Sequence, residues 1–123
     1  MQATKILIID DEKEICLLLT KYFESANFTV SCAYNGLDGV ATQKIFKADI
    51  ILLDMRMPGI SGMEALIAIK NLGPVCVICV SAVKEIDIVE ECLKNGASSY
   101  MFKPIILEEL MAEVKACQIK LEK

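Results

Sequence analysis

Residues 49–59 read Asp49-Ile50-Ile51-Leu52-Leu53-Asp54-Met55-Arg56-Met57-Pro58-Gly59. The aliphatic run Ile50-Ile51-Leu52-Leu53 shows no polar alternation and is too short for a helix, which fits a strand buried on both faces. It ends on an acid, and a Pro-Gly turn signal follows. The same layout recurs outward in both directions. Residues 5–9 are apolar after Lys5 and end in Asp10-Asp11. Val75-Cys76-Val77-Ile78-Cys79-Val80 ends in Ser81, and residues 98–102 end in Lys103-Pro104. A further run, residues 28–33, carries the β-branched Val30. Between the runs lie segments with helical spacing: 12–26 (Ile15, Leu18, Leu19, Tyr22, Phe23), 37–46, 63–71, 85–94 and 107–121. Gly73-Pro74 breaks one of them, and Asn95-Gly96 supplies a C-terminal stop for another. Strands alternating with helices predict an α/β domain. Its sheet is parallel and covered on both faces, and the domain spans residues 1–123.

The composition narrows the function classes. The chain of 123 residues is 54% hydrophobic and 24% charged, enough to build a core. Its net charge of −4, without a basic cluster, argues against a nucleic-acid or anionic-membrane surface. Mean hydropathy is high at +0.47, yet no apolar run approaches the ~20 residues of a membrane helix. The first residues lack a signal-peptide layout, so cytosolic residence is expected. Histidine is absent, which removes histidine triads, histidine metal ligands and a phosphohistidine carrier role. The six cysteines (16, 32, 76, 79, 92 and 117) lie in apolar periodic segments and read as small buried hydrophobes, not a disulfide framework. Cys76 and Cys79 form a C-x-x-C. On a strand, however, residues three apart face opposite ways, so this pair cannot share a metal.

In an open parallel sheet, ligands bind beyond the carboxyl ends of the strands. That rule gathers Asp10, Asp11, Asp54, Ser81 and Lys103 at one edge. Taken singly, each has a plain structural explanation: a helix cap, a turn residue, a solvated lysine. Their agreement on one edge is what carries the functional reading. Carboxylates this close repel each other and call for a divalent cation. All-oxygen ligation points to Mg²⁺ or Mn²⁺. A lysine and a hydroxyl beside the cation suit a phosphoryl group, and an aspartate can itself accept one.

These residues and their surroundings resemble the receiver domain of a two-component response regulator. The matching stretches are Ile8-Ile9-Asp10-Asp11-Glu12, Leu52 through Gly59, Gly62-Met63-Glu64, Val80-Ser81-Ala82, Asn95-Gly96-Ala97 and Lys103-Pro104. The resemblance covers essentially the whole chain and implies a flavodoxin-like fold with strand order 2-1-3-4-5. It implies Asp54 as the phosphoacceptor. Mg²⁺ would be bound by Asp11 and Asp54, by Asp10 chiefly through water, and by the backbone carbonyl of Arg56. Lys103 and Ser81 would engage the phosphoryl oxygens, Tyr100 would be the switch aromatic moving with Ser81, and the Lys103–Pro104 bond would be cis. Ser81 stands where threonine is more usual, and Ile105 where phenylalanine is frequent. The implied function is a phosphorylation-dependent switch that catalyses only its own aspartyl phosphorylation and dephosphorylation. A sensor histidine kinase or histidine phosphotransfer protein would be the donor, and a homodimer or downstream effector the readout.

The rival on similar residues is a haloacid-dehalogenase-like phosphatase. That chemistry asks for a second acid two residues after the nucleophile, where this chain has Arg56. A dinucleotide binder lacks its G-x-G-x-x-G after the first strand. Three further expectations follow. Arg56 and Val83, flanking the path of a hydrolytic water, should slow dephosphorylation. Ile88, Met101, Ile106 and Met111 are candidates for an exposed partner patch near Tyr100. The stripe Leu107, Leu110, Val114, Cys117 and Leu121 runs to the last residues without a capping glycine or asparagine, which favours a receiver continuing into a longer regulator.

Overall fold

The computed structural model describes residues 3–82 and 86–121. The elements are β1 (Lys5–Ile9), α1 (Lys13–Ser25), β2 (Thr29–Ala33), α2 (Gly36–Phe46), β3 (Ile50–Asp54), α3 (Gly62–Asn71), β4 (Cys76–Ser81), α4 (Ile86–Lys94), β5 (Ser99–Phe102) and α5 (Leu107–Leu121). The strands form one sheet in the order β2-β1-β3-β4-β5, with every neighbouring pair parallel. This is the expected doubly wound fold.

The three central strands explain the unbroken apolar runs. Along β1, Ile6 and Ile8 enter one core layer while Leu7 and Ile9 enter the other. β3 divides the same way, Ile50 and Leu52 against Ile51 and Leu53. Because both faces are covered, no position along these strands selects for polarity. Helices α1 and α5 close the first layer with Cys16, Leu19, Phe23, Leu110 and Val114. Helices α3 and α4 close the second with Ala65, Leu66, Ile69 and Cys92, and Val40 and Phe46 of α2 pack against it.

Local signals set the element ends. Ser61 caps α3 through a full capping box with Glu64, at 3.1 and 3.3 Å. Asn35 caps α2 by accepting from the Asp38 backbone N–H at 2.8 Å. Gly62 has a different duty. A Cβ there would stand 2.6 Å from the Met55 Cα, so only glycine lets α3 start this close to the segment following Asp54.

Two expectations are corrected. The cysteines are not all unbridged: Cys76 of β4 is joined to Cys117 of α5, with Cα atoms 6.0 Å apart. Cys76 shares its face with Ile78 and Val80, and Cys117 continues the buried stripe of Leu110 and Val114, so both enter one layer. Residue spacing locates each cysteine on a face of its own element, but it does not say which helix lies over which strand. The C-x-x-C reading holds, since Cys79 lies in the opposite layer and burial pushes its thiol pKa up. Of the expected exposed patch, only Ile106 is exposed, at 53%. Met101 and Met111 pack on the first layer and Ile88 on the second. Exposed apolar side chains are spread over several helices, among them Leu17 and Leu18 of α1 and Leu37 and Ile45 of α2; Leu18, which the helical spacing places inward, is 52% exposed.

Candidate functional site

Sheet register brings the strand-end residues to one level. Ile9 pairs with Leu53, so Asp10 and Asp54 each come next on adjacent strands. Asp54 pairs with Val80, one residue before Ser81, and Ser81 pairs with Phe102, one residue before Lys103. Backbone bonds carry this alignment past the strands. The Met55 N–H donates to the Val80 carbonyl and the Lys103 N–H to the Ser81 carbonyl, both at 2.9 Å. The Lys103–Pro104 peptide bond is cis, as expected.

Lys103 occupies the centre. Its Nζ lies 3.2 Å from Asp10 Oδ2, 3.2 Å from Asp54 Oδ2 and 3.1 Å from Glu12 Oε1. The carboxylates are oriented by main chain: the Arg56 N–H donates to Asp54 Oδ1 and the Glu12 N–H to Asp10 Oδ1, both at 2.9 Å. Asp10, Asp54 and Ser81 are buried, whereas Asp11 is exposed. Carboxylate oxygens of Asp10, Asp11 and Glu12 lie within 4.8 Å of one another, a set able to hold a metal ion.

Glu12 is the site residue that the sequence reading left out. It stands at the N-cap of α1, yet its side chain makes no capping bond. The carboxylate goes to Lys103 instead. The available signal was its place directly after the Asp10-Asp11 pair, which an acid at a helix start explains equally well.

One ammonium serves three carboxylates, and the titration behaviour follows. Burial raises the pKa of Asp54, and the charge of Asp10 adds to this, outweighing the Arg56 N–H and Lys103. Burial works against the charge of Lys103, but the Glu12 hydrogen bond and the charges of Asp54 and Asp10 hold its pKa above the ordinary value. Lys103→Gln should therefore lower stability at neutral pH by about 1–3 kcal/mol, the cost of leaving buried carboxylates without a cation. The raised Asp54 pKa gives the sign of the pH dependence. A carboxylate harder to ionise in the fold than in the unfolded chain costs stability progressively as pH rises from its ordinary pKa through its folded pKa. The deficit of the variant should shrink as pH falls toward the ordinary aspartate range. Denaturant titrations of both proteins across that range check this; a pH-independent deficit would count against the electrostatic account.

Tyr100 points inward. Its hydroxyl is buried without a hydrogen bond of good geometry, and burial raises its pKa, with the Ser81 side chain close enough to temper the rise. Together with Met55, Ser81, Ile88 and Glu91 it lines a cavity of about 190 Å³. Arg56 is exposed, and Val83 lies outside the described residues.

The response regulator receiver domain model matches residues 6–115. This chain belongs to that family. Sporulation initiation phosphotransferase F of Bacillus subtilis is 34% identical over 116 residues, covering 94% of each chain. The transcriptional regulatory protein PrrA of Mycobacterium tuberculosis is 35% identical over 117 residues, covering 93% of this chain and 49% of its own length. The chain thus spans about half the length of its PrrA relatives. Among solved structures, a two-component response regulator from Clostridium difficile superposes with a TM-score of 0.93 at 28% identity, covering 98% of this chain and 99% of that one. A receiver domain protein from Methanospirillum hungatei reaches 0.94 at 24% identity, a likeness of fold, over 98% of each chain. This receiver domain is therefore a phosphorylation-dependent signalling module of two-component systems. Family membership implies interaction with histidine kinases or phosphotransfer proteins. Receiver domains generally bind Mg²⁺ through an acidic pocket.

Proposed function

We propose that this receiver accepts a phosphoryl group on Asp54 from a partner phosphohistidine and changes conformation through Ser81 and Tyr100. The observation that carries the reading is Lys103 Nζ at 3.2 Å from both Asp10 and Asp54, three residues from three strand ends meeting at one point. Asp54 is a buried acceptor oriented by a backbone N–H, and its attack on phosphorus forms a P–O bond as the P–N bond to the donor histidine breaks. The charges fit a divalent cation: Asp10, Asp11, Glu12 and Asp54 together exceed the single positive charge of Lys103. Asp10, Asp11, Asp54 and the Arg56 carbonyl would hold Mg²⁺ or Mn²⁺. When bound, the ion neutralises charge on the transferring phosphoryl oxygens. Lys103 would turn from Asp54 toward those oxygens, and Ser81 would donate to one of them. Movement of Ser81 alters the cavity that it shares with Tyr100, which links the site to β5.

The phosphatase alternative finds no support. The position of its second acid holds Arg56, and the family model is that of a receiver. We take the receiver to span residues 1–123, with a cytosolic kinase or phosphotransfer protein as donor and an effector or second copy as readout. Direct binding of nucleic acid or membrane by this chain is not part of the reading. Among the described residues no helix is long and apolar enough to cross a membrane. The B. subtilis relative, similar along its length, makes a relay role the first to test.

Incubation with Mg²⁺ and acetyl phosphate should add the mass of one phosphoryl group in a form removed by hydroxylamine. Chelation of the metal with EDTA should prevent it. An adduct formed equally well in EDTA would overturn the metal assignment, and no adduct from either acetyl phosphate or a phosphorylated kinase would overturn the acceptor reading.

A further inference from the structure

All six cysteines stand in helix–strand pairs, and the pairs differ in access. Cys76–Cys117 is already bonded. Cys79 of β4 and Cys92 of α4 both enter the second core layer and are fully buried. Cys16 of α1 and Cys32 of β2 enter the same core layer, with the Cys32 sulfur against the Cys16 main chain. The Cys32 sulfur lies 3.2 Å from Thr20 Oγ1 and 3.9 Å from the Cys16 carbonyl oxygen. Cys16 is buried, but Cys32 sits on an edge strand and is half-buried. Of the two unbonded pairs, this is the one with a cysteine that is not fully buried.

The Cys16–Cys32 pair lies directly beneath the acid loop. The Cys16 thiol donates to the Asp10 carbonyl at 3.3 Å. The Asp10 N–H donates to the carbonyl of Ala33, the neighbour of Cys32, at 3.1 Å. A change at either sulfur therefore reaches the backbone that aims the Asp10 carboxylate.

We propose that Cys16 and Cys32 form a thiol-oxidation site, closed to a disulfide by a low-molecular-weight disulfide such as glutathione disulfide, which adjusts the acid loop. Cys32, having lost its proton, attacks one glutathione sulfur and expels the first glutathione as a thiolate. Cys16 then loses its proton and displaces the second glutathione from Cys32. The net reaction joins two protein thiols and reduces one glutathione disulfide to two glutathione thiols. The bond pins α1 to β2, and the hydrogen that Cys16 gave to the Asp10 carbonyl is gone.

The test treats the protein, with Cys76–Cys117 intact, with glutathione disulfide and no phosphodonor. Alkylation, intact mass and peptide mapping follow. The expected product has lost two hydrogen masses and contains a Cys16–Cys32 linked peptide, with Cys79 and Cys92 alkylated only after unfolding. Cys32→Ser and Cys16→Ala should each give no bridge while keeping the fold by circular dichroism. With acetyl phosphate and Mg²⁺, the bridged protein should form its adduct roughly threefold to tenfold more slowly than the dithiol form, in line with one lost hydrogen bond. Four alkylatable thiols after treatment, a mixed disulfide halted at Cys32, or a bridge at Cys79–Cys92 would each overturn the proposal. An adduct rate unchanged by the bridge would overturn its link to the acid loop. Because the bridge is read without phosphodonor, its failure is distinguishable from failure of the Asp54 reading.

Discussion

Asp54→Asn should form no phospho-adduct under conditions that modify the unsubstituted chain fully, and it should fold at least as stably. The amide keeps the shape of the carboxylate and still offers an oxygen to the Arg56 N–H, 2.9 Å away in the parent. It lacks the nucleophilic oxygen charge. The stability half of the expectation follows from the raised Asp54 pKa, caused first by burial. At neutral pH the native state carries a charge that the unfolded chain holds more easily, so removing that charge removes a destabilising contribution. Lys103 keeps Asp10 and Glu12 as partners. Intact mass after acetyl phosphate treatment and a thermal melt check both halves. An adduct of parental yield would move the acceptor elsewhere, and a markedly lower melting temperature would show that the Lys103–Asp54 pair outweighs the cost of burying Asp54.

Loss of the Cys76–Cys117 bond should have the largest effect on stability. The two residues are 41 apart in sequence, and closing a loop of that size in the unfolded chain is worth about 4 kcal/mol on the chain-entropy account. For a domain of this size that corresponds to roughly 15 °C in melting temperature. Reduction, or Cys117→Ser, should produce a drop of that order by calorimetry, with the far-ultraviolet spectrum retained at low temperature. The bond joins an element end remote from the acid site to α5, so adduct formation on the reduced protein well below its melting temperature should persist. A melting temperature unchanged by reduction would show that the bond adds no constraint beyond packing. Disulfides are uncommon in reducing compartments, so the bond bears directly on the expectation of cytosolic residence.

The fold was legible because its central strands are extreme. β1, β3 and β4 are buried on both faces, so their apolar runs stand out from the amphipathic helices between them. Element ends were less legible where a capping residue or a glycine decided them. α3 opens at Gly62, not Met63, because Ser61 supplies the cap, and α1 opens at Lys13 because Glu12 is the N-cap. The expected site residues Asp10, Asp54 and Lys103 meet in space because parallel register converts a shared position at strand ends into adjacency. Glu12 escaped notice because its polarity is explained twice, by a helix start and by Lys103. The Cys76–Cys117 bond was hidden for a different reason. It depends on which helix covers which strand, and that is set by packing across the sheet, not by spacing along the chain. The same limit misplaced Met101 and Met111, whose side chains close the first core layer.

The central claim is that Asp54, among the carboxylates of the site, receives the phosphoryl group. Borohydride reduction of the phosphorylated protein converts an aspartyl phosphate to homoserine, which peptide sequencing by mass spectrometry locates. The account predicts homoserine at position 54 alone, present with Mg²⁺ and absent after chelation. Homoserine at position 10 or 11, with Asp54 intact, would contradict it.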